Sequence, residues 1–310
     1  MSRIVISLGG NALGNSPYEQ INLVRKAVVP IVDLVEQGHD VIVVHGNGPQ
    51  VGCINKAFEI SSAGSKDIPA MPFPECGAMS QGYIGFHLQN CIGEALTKRK
   101  INKSTAAVVT QVVVNLEDTA FKNPTKPIGS FFSSEEAVKL MNDTGDVYIE
   151  DSGRGYRKVI ASPKPVRVVE KDIVEILVES GVIVITAGGG GIPVAEKDGS
   201  LTGVDAVIDK DLASECIAEE LNADYLFVLT AVDKVAINFN KPDQKDLDKM
   251  SADEAQHWIS EGQFPPGSML PKIEAAVKFV KSKHGRKAII SSIEKAGEAI
   301  IGNSGTIIYG

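Results

Sequence analysis

The chain has 310 residues, 43% of them hydrophobic, with a formal net charge of −8. That is enough apolar material for one large α/β domain or two smaller ones. The acidic balance excludes general binding to nucleic acid or membrane surfaces, since no basic excess is available to meet phosphates. A small anionic substrate needs only a few local cations and stays open. Cys53, Cys76, Cys91 and Cys216 form no CxxC pair and no metal-like grouping with the five histidines. With no signal peptide and no apolar run of membrane-spanning length, a reduced, cytoplasmic protein is expected.

The first element is Arg3-Ile4-Val5-Ile6-Ser7-Leu8, running into Gly9-Gly10-Asn11-Ala12-Leu13. An aliphatic run that breaks at two glycines before a helix-length segment predicts a buried parallel strand, a tight turn and a helix start. Apolar positions at three- and four-residue spacing predict a helix over 19–37, with Pro30 kinking or splitting it. Val41 to Val44 form a second buried strand, broken at His45-Gly46-Asn47-Gly48-Pro49-Gln50-Val51-Gly52. A loop over about 61–74, a helix over about 75–99 and a third strand over Val108–Val114 follow.

From about 115 to 165 the texture turns polar and basic, with Asn123-Pro124-Thr125-Lys126-Pro127-Ile128-Gly129 and Gly153-Arg154-Gly155-Tyr156-Arg157-Lys158. Fifty residues is too long for an ordinary loop, so a small inserted subdomain or lid is expected. The alternation then resumes. A helix near 169–180 leads to the strand Val182–Ile185, which ends at Gly188-Gly189-Gly190-Gly191. Asp209-Lys210-Asp211 opens a helix, and the strand Tyr225–Leu229 ends at Thr230-Ala231-Val232-Asp233. A loop region to about 268, a helix over 270–283, a strand over 287–291, a short helix and a strand over 306–309 complete the chain. The expected fold is a single α/β domain over 1–310: three layers, α/β/α, around a mostly parallel open sheet, with a lid subdomain inserted at 115–165.

Ligands of such sheets bind beyond the carboxyl ends of the strands. Here those ends carry four glycine-rich or small-residue turns, and glycine lets an anion approach backbone N–H groups. Any one of them would serve as a plain βα turn; four together predict anion binding. The Walker A pattern is absent. Gly46-Asn47-Gly48 with Gly52 approaches the dinucleotide fingerprint, but with three intervening residues instead of two and no acidic residue at the next strand end. Anion nests without a Walker lysine need cations from elsewhere. Lys126 sits in a proline-stiffened run, Lys210 lies between two carboxylates at a helix start, and Lys272 stands in the first turn of a helix, where a cation is favourable only beside an anion.

In order along the chain, Gly9 to Leu13, His45 to Gly52, Asn123 to Gly129, Gly188 to Pro193, Val207-Ile208-Asp209-Lys210-Asp211 and Pro266-Gly267-Ser268-Met269-Leu270-Pro271-Lys272-Ile273-Glu274-Ala275-Ala276 resemble the motifs of the carbamate kinases, within the amino-acid kinase superfamily. The likeness runs from end to end, and the segment with Lys126 points to carbamate kinases in particular. One departure lies in the base pocket: Phe239 follows Ile237-Asn238 where family members often have Tyr, keeping a stacking face and losing a hydroxyl.

The resemblance implies reversible phosphoryl transfer between ATP and carbamate, giving ADP and carbamoyl phosphate, with Mg²⁺ and no protein-held metal. It implies Lys126, Lys210 and Asp211 as catalytic residues, the lysines on the equatorial oxygens of the moving group and Asp211 orienting Lys210. Gly9, Gly10, Asn11, Asp209, Thr230, Asp233, Phe239, Met269 and Lys272 are then expected at the nucleotide, and Gly46, Asn47, Gly48, Gly189 and Gly190 at the substrate. A homodimer and a role in arginine, purine or allantoin breakdown, run toward ATP, are the family's usual setting. The alternatives are a glutamate-type or uridylate kinase, and a non-catalytic nucleotide or amino-acid sensor on the same fold.

Overall fold

The computed structural model describes residues 1–9, 13–14, 16–151 and 153–310. Gly10 and Asn11, expected at the nucleotide, lie outside the described residues. The principal sheet has eight strands in the order Lys249–Ser251, Thr306–Tyr309, Lys287–Ser292, Tyr225–Thr230, Arg3–Leu8, Asp40–His45, Ile183–Ile185, Thr105–Ala107. The six from Lys287–Ser292 to Thr105–Ala107 are mutually parallel, and Thr306–Tyr309 turns antiparallel against Lys287–Ser292. Successive side chains of a strand point to opposite faces. Ile4, Ile6 and Leu8 therefore pack with the helices Pro17–Glu36 and Phe73–Lys98, whereas Val5 packs with Lys210–Glu220 and Met269–Ser282 on the other face. This gives the expected α/β/α layers. It also aims Ser7, on the same face as Val5, at the helix that starts with Lys210.

Three elements differ from the sequence reading. Pro30 neither ends nor splits its helix, which runs as one element over Pro17–Glu36. Its start is fixed by Ser16 accepting from the Glu19 N–H, with Pro17 at the first position. Val24, Ala27, Val28, Ile31, Val32, Leu34 and Val35 bury one face, which outweighs the hydrogen bond lost at Pro30. The expected strand Val108–Val114 is two strands: Thr105–Ala107 at the edge of the principal sheet, and Gln111–Val114 in a second sheet ordered Ser200–Gly203, Ile192–Lys197, Gln111–Val114, Pro165–Val168. The expected loop to 268 contains a hairpin, Val235–Ile237 with Lys245–Leu247, the edge strand Lys249–Ser251 and the helix Ala252–Ser260.

The 115–165 stretch holds a three-stranded antiparallel sheet, ordered Lys126–Phe132, Tyr156–Ile160, Val147–Glu150, and the helix Ser134–Thr144. The helix is well capped, by a Ser133/Glu136 capping box and by Gly145 at φ 77°. The core of the subdomain is thin, however: Ala137 is the helix's one buried residue, Val159 is buried in the strand Tyr156–Ile160, and Val138, Val147 and Ile149 are exposed. The root is better anchored, because Ile160 packs with Val51, Phe73 and Cys76 of the main body. Segments with few buried contacts open most readily. We propose that this subdomain moves as a lid. Limited trypsin digestion is expected to cut first at Arg154, at an exposed turn, before Arg157 and Lys158, which pair with Asp151 and Asp146 in a strand. ADP with a carbamoyl phosphate mimic should slow that cut more than ADP alone, whereas a rigid lid gives one rate under all three conditions.

Candidate active site

The centre of the site is a buried carboxylate shared by two lysines. Asp209 caps the helix Lys210–Glu220, its Oδ1 accepting from the Asp211 N–H at 2.9 Å. The cap points the first turn at the carboxyl ends of the central strands. Asp211 is 2% exposed. Its Oδ1 lies 2.5 Å from Lys210 Nζ and its Oδ2 lies 2.6 Å from Lys272 Nζ. Ser7 Oγ completes the knot, donating to Asp211 Oδ1 at 2.7 Å and accepting from Lys210 Nζ at 2.9 Å.

Burial alone would push the Asp211 carboxyl upward; the charges and hydrogen bonds of Lys210 and Lys272 overcome it and hold the group well below the usual carboxylate range. Burial pulls the Lys210 ammonium down, with Asp211 opposing and Lys272 adding to the fall. Lys210 and Lys272 balance Asp211 and the capping Asp209 at the head of the helix, and Lys126 beside Asp209 leaves the group with a net positive charge, where backbone N–H groups also point outward. That charge is placed to receive an anion. Lys126 reaches the same helix start from the lid's root strand, its Nζ 3.3 Å from Asp209 Oδ2.

Beside this centre lies a cleft of about 370 Å³, lined by the cations Lys210, Lys234 and Lys272, by Gly9, and by Val232, Ala236, Phe239, Phe264, Pro265 and Met269. It opens where the strand order reverses, Arg3–Leu8 being flanked by Asp40–His45 on one side and Tyr225–Thr230 on the other. A lining that combines cations with an exposed aromatic face fits a polyphosphate and a base. Gly9 is tightly held: its N–H donates to Leu229 O at 2.9 Å, and a Cβ there would sit 2.9 Å from the same oxygen. The helix Met269–Ser282 starts at the cleft with no side-chain cap from Ser268; the Leu270 N–H donates to Pro265 O at 3.1 Å and Pro271 has no N–H, so Lys272 is what this end offers an anion.

The turns 46–48 and 188–190 meet. A Cβ on Gly189 would lie 2.1 Å from Asn47 Nδ2, and one on Gly188 would lie 2.3 Å from His45 Nε2. His45 is 1% exposed, and burial brings its pKa down to about 4 against a smaller contrary effect of its hydrogen bond to Gly46 O, so it is neutral at pH 7.

Of the expected nucleotide residues, Gly9, Thr230, Phe239, Met269 and Lys272 line the cleft. Asp233 does not, although its neighbours Val232 and Lys234 do, and Asp209 faces Lys126 instead. Lys272 touches Asp211 as closely as Lys210 does, so it belongs to the charge centre as well as to the nucleotide side. Ser7, Lys234, Phe264 and Ser268 were not singled out. Ser7 did carry a signal, being the one polar residue in the apolar run Ile4–Leu8; the other three lie in a stretch without periodicity.

The model of the amino acid kinase family matches residues 2–292. A carbamate kinase of Clostridium perfringens is 53% identical over 311 residues, covering 99% of each chain. A carbamate kinase-like protein, YqeA, of Escherichia coli is 53% identical over 306 residues, covering 99% of this chain and 98% of the other. Among solved structures, the carbamate kinase of Giardia lamblia bound to AMP-PNP superposes with a TM-score of 0.93 at 38% identity, over 99% of this chain and 98% of that one. An α/β fold with a cation-lined cleft at its switch point is thus joined to a family assignment: the chain belongs to the amino acid kinase family. Within that family it lies among the carbamate kinases.

Proposed function

We propose that this kinase transfers a phosphoryl group reversibly between ATP and carbamate and runs toward ATP, in the breakdown of arginine, or of purines or allantoin. The observation that carries the reading is the Lys210–Asp211–Lys272 centre, set beside a cleft lined by cations and an aromatic ring and near the glycine turns 46–48 and 188–190. A terminal oxygen of ADP attacks the phosphorus of carbamoyl phosphate. The bond from phosphorus to the carbamate oxygen breaks, and its electron pair leaves on carbamate. The attacking oxygen of ADP is already anionic and carbamate leaves as a stable anion, so neither a general base nor a general acid is required, which agrees with a neutral, buried His45 at the substrate turn. The work left to the protein is alignment and charge neutralisation. Lys210 and Lys126 serve the equatorial oxygens, Asp211 holds Lys210, and Lys272 holds the nucleotide phosphates. N–H groups of Asn47, Gly48 and Gly189 receive carbamate, while Gly190, whose N–H is taken by Ala187 O, shapes the turn.

Mg²⁺ enters on the nucleotide. Among the described residues no three His, Cys, Asp or Glu side chains gather to hold a metal, and Asp209 and Asp211 are both engaged by lysines. Such a setting suits a Mg²⁺ held largely by phosphates and water. Among the described residues no helix is long and apolar enough to cross a membrane, and the four cysteines are free. Both are compatible with a cytoplasmic enzyme. A homodimer is proposed through the open edge Thr105–Ala107, beside which Phe86 and Val109 stand 59% and 55% exposed.

Acceptor choice tests the substrate turn. Offered ATP with glutamate, aspartate or UMP, the protein should phosphorylate none of them. Efficient phosphorylation of any one, without turnover of carbamoyl phosphate, would move the chain to another branch of the family. Lys272→Ala is expected to weaken ADP binding about tenfold or more, because its phosphate contact exists in the ground state as well as at the transition state. Calorimetric titration with ADP measures it, and an unchanged Kd would remove Lys272 from the nucleotide.

A further inference from the structure

We infer that Ser80 and Gln81, adjacent on the helix Phe73–Lys98, are positioning residues that set the two substrate turns against each other; the inference rests on the proposed reading of those turns. The turn at 187–191 is held in an unfavourable backbone conformation: Ala187, Gly189, Gly190 and Gly191 have φ of 47°, 69°, 99° and 85°. Glycine takes such angles freely but alanine does not, so something outside the turn must hold Ala187 in place. Inside the turn, Gly190 N–H donates to Ala187 O at 3.0 Å and Gly191 N–H to Gly188 O at 3.1 Å.

Gln81, 4% exposed, supplies the outside hold. Its Nε2 donates to Gly188 O and to Thr110 O, each at 3.0 Å, and its Oε1 accepts from the Thr110 N–H at 2.8 Å. One amide thereby ties the turn to the segment where the chain leaves the principal sheet. Thr110 is also joined to Thr186, with their hydroxyls 2.9 Å apart, next to the strained Ala187. Ser80, fully buried, does the same for the other turn: its Oγ accepts from Asn47 Nδ2 at 2.9 Å and donates to Gly77 O at 2.7 Å. Asn47 is the side chain that Gly189 touches. Two consecutive residues of one helix thus grip two loops that are remote in sequence and face one small ligand. Neither side chain lines the nucleotide cleft.

The test is a split between substrates. Gln81→Met keeps the volume but removes both donors. It should raise KM for carbamoyl phosphate about tenfold or more, with KM for ADP within about twofold, the range set by losing buried hydrogen bonds. Ser80→Ala should move the same parameter in the same direction, and it decides the matter if Gln81→Met fails to fold. A second readout is independent of turnover: amide exchange at 187–191 should quicken about tenfold in Gln81→Met while the central strands stay protected. Equal rises in both KM values, unchanged KM for carbamoyl phosphate, or unchanged exchange at 187–191 would each overturn the positioning role. Absence of carbamoyl phosphate turnover in the wild type would instead overturn the substrate assignment, and the exchange result would still decide what Gln81 holds.

Discussion

Replacing Lys210 by alanine is expected to lower kcat by about a hundredfold or more, the scale for losing one preorganised donor at a transition state. The fold should survive, because Asp211 keeps Lys272 at 2.6 Å and Ser7 at 2.7 Å, so no buried carboxylate is left without a partner. ADP should bind nearly as before, since Lys272, Lys234 and the apolar lining of the cleft remain. The loss belongs in kcat because the equatorial oxygens demand most from Lys210 while the phosphoryl group is between its two partners. Steady-state kinetics beside ADP titration separate the two effects. A mutant with wild-type kcat and weakened ADP binding would exchange the roles given to Lys210 and Lys272.

Lys126→Ala should remove most turnover, about a hundredfold or more, and leave ADP binding nearly intact. Lys126 opens the lid's root strand, with its Cα opposite Ile160, so it stands at the hinge end of the subdomain and not at its tip. Its partner Asp209 keeps a second role in capping the helix of Lys210, so truncating Lys126 does not undo that helix start. In the absence of substrate, Asp209 serves as counter-ion to Lys126. On the proposed reading, Lys126 turns from Asp209 to the phosphoryl group when it enters. Losing it should therefore cost rate without costing stability. Near wild-type turnover would make the lysine a structural partner of Asp209 and leave the subdomain without a part in the chemistry.

The order of βα units, the central strand Arg3–Leu8 and the turns that gather around it were legible because aliphatic runs mark the buried strands and glycine follows three of them, at Gly9, Gly46 and Gly188. Lys126, Lys210 and Asp211 stood out by their neighbours in sequence, but the roles proposed for them come from the family resemblance. What escaped has a common physical cause: it depends on contacts with remote segments. Nothing local in Val108–Val114 shows that the chain changes sheets at Thr110; the partner that satisfies Thr110 is Gln81, on a distant helix. Strands of three residues, as in Val235–Ile237 and Lys245–Leu247, are too short to show a period of two. Pro30 reads as a breaker only while the packing of its helix is unknown. Lys272 was read as a nucleotide contact because its sequence neighbours do not reveal Asp211, 61 positions away.

The most direct measurement of the proposed activity is a coupled assay of ATP formation from ADP, carbamoyl phosphate and Mg²⁺ with purified protein. Rapid ATP formation, lost in Lys210→Ala, is the expected result. ADP binding at the cleft with no ATP formed, under conditions where the protein is folded, would contradict it and leave a nucleotide-binding protein on a kinase fold.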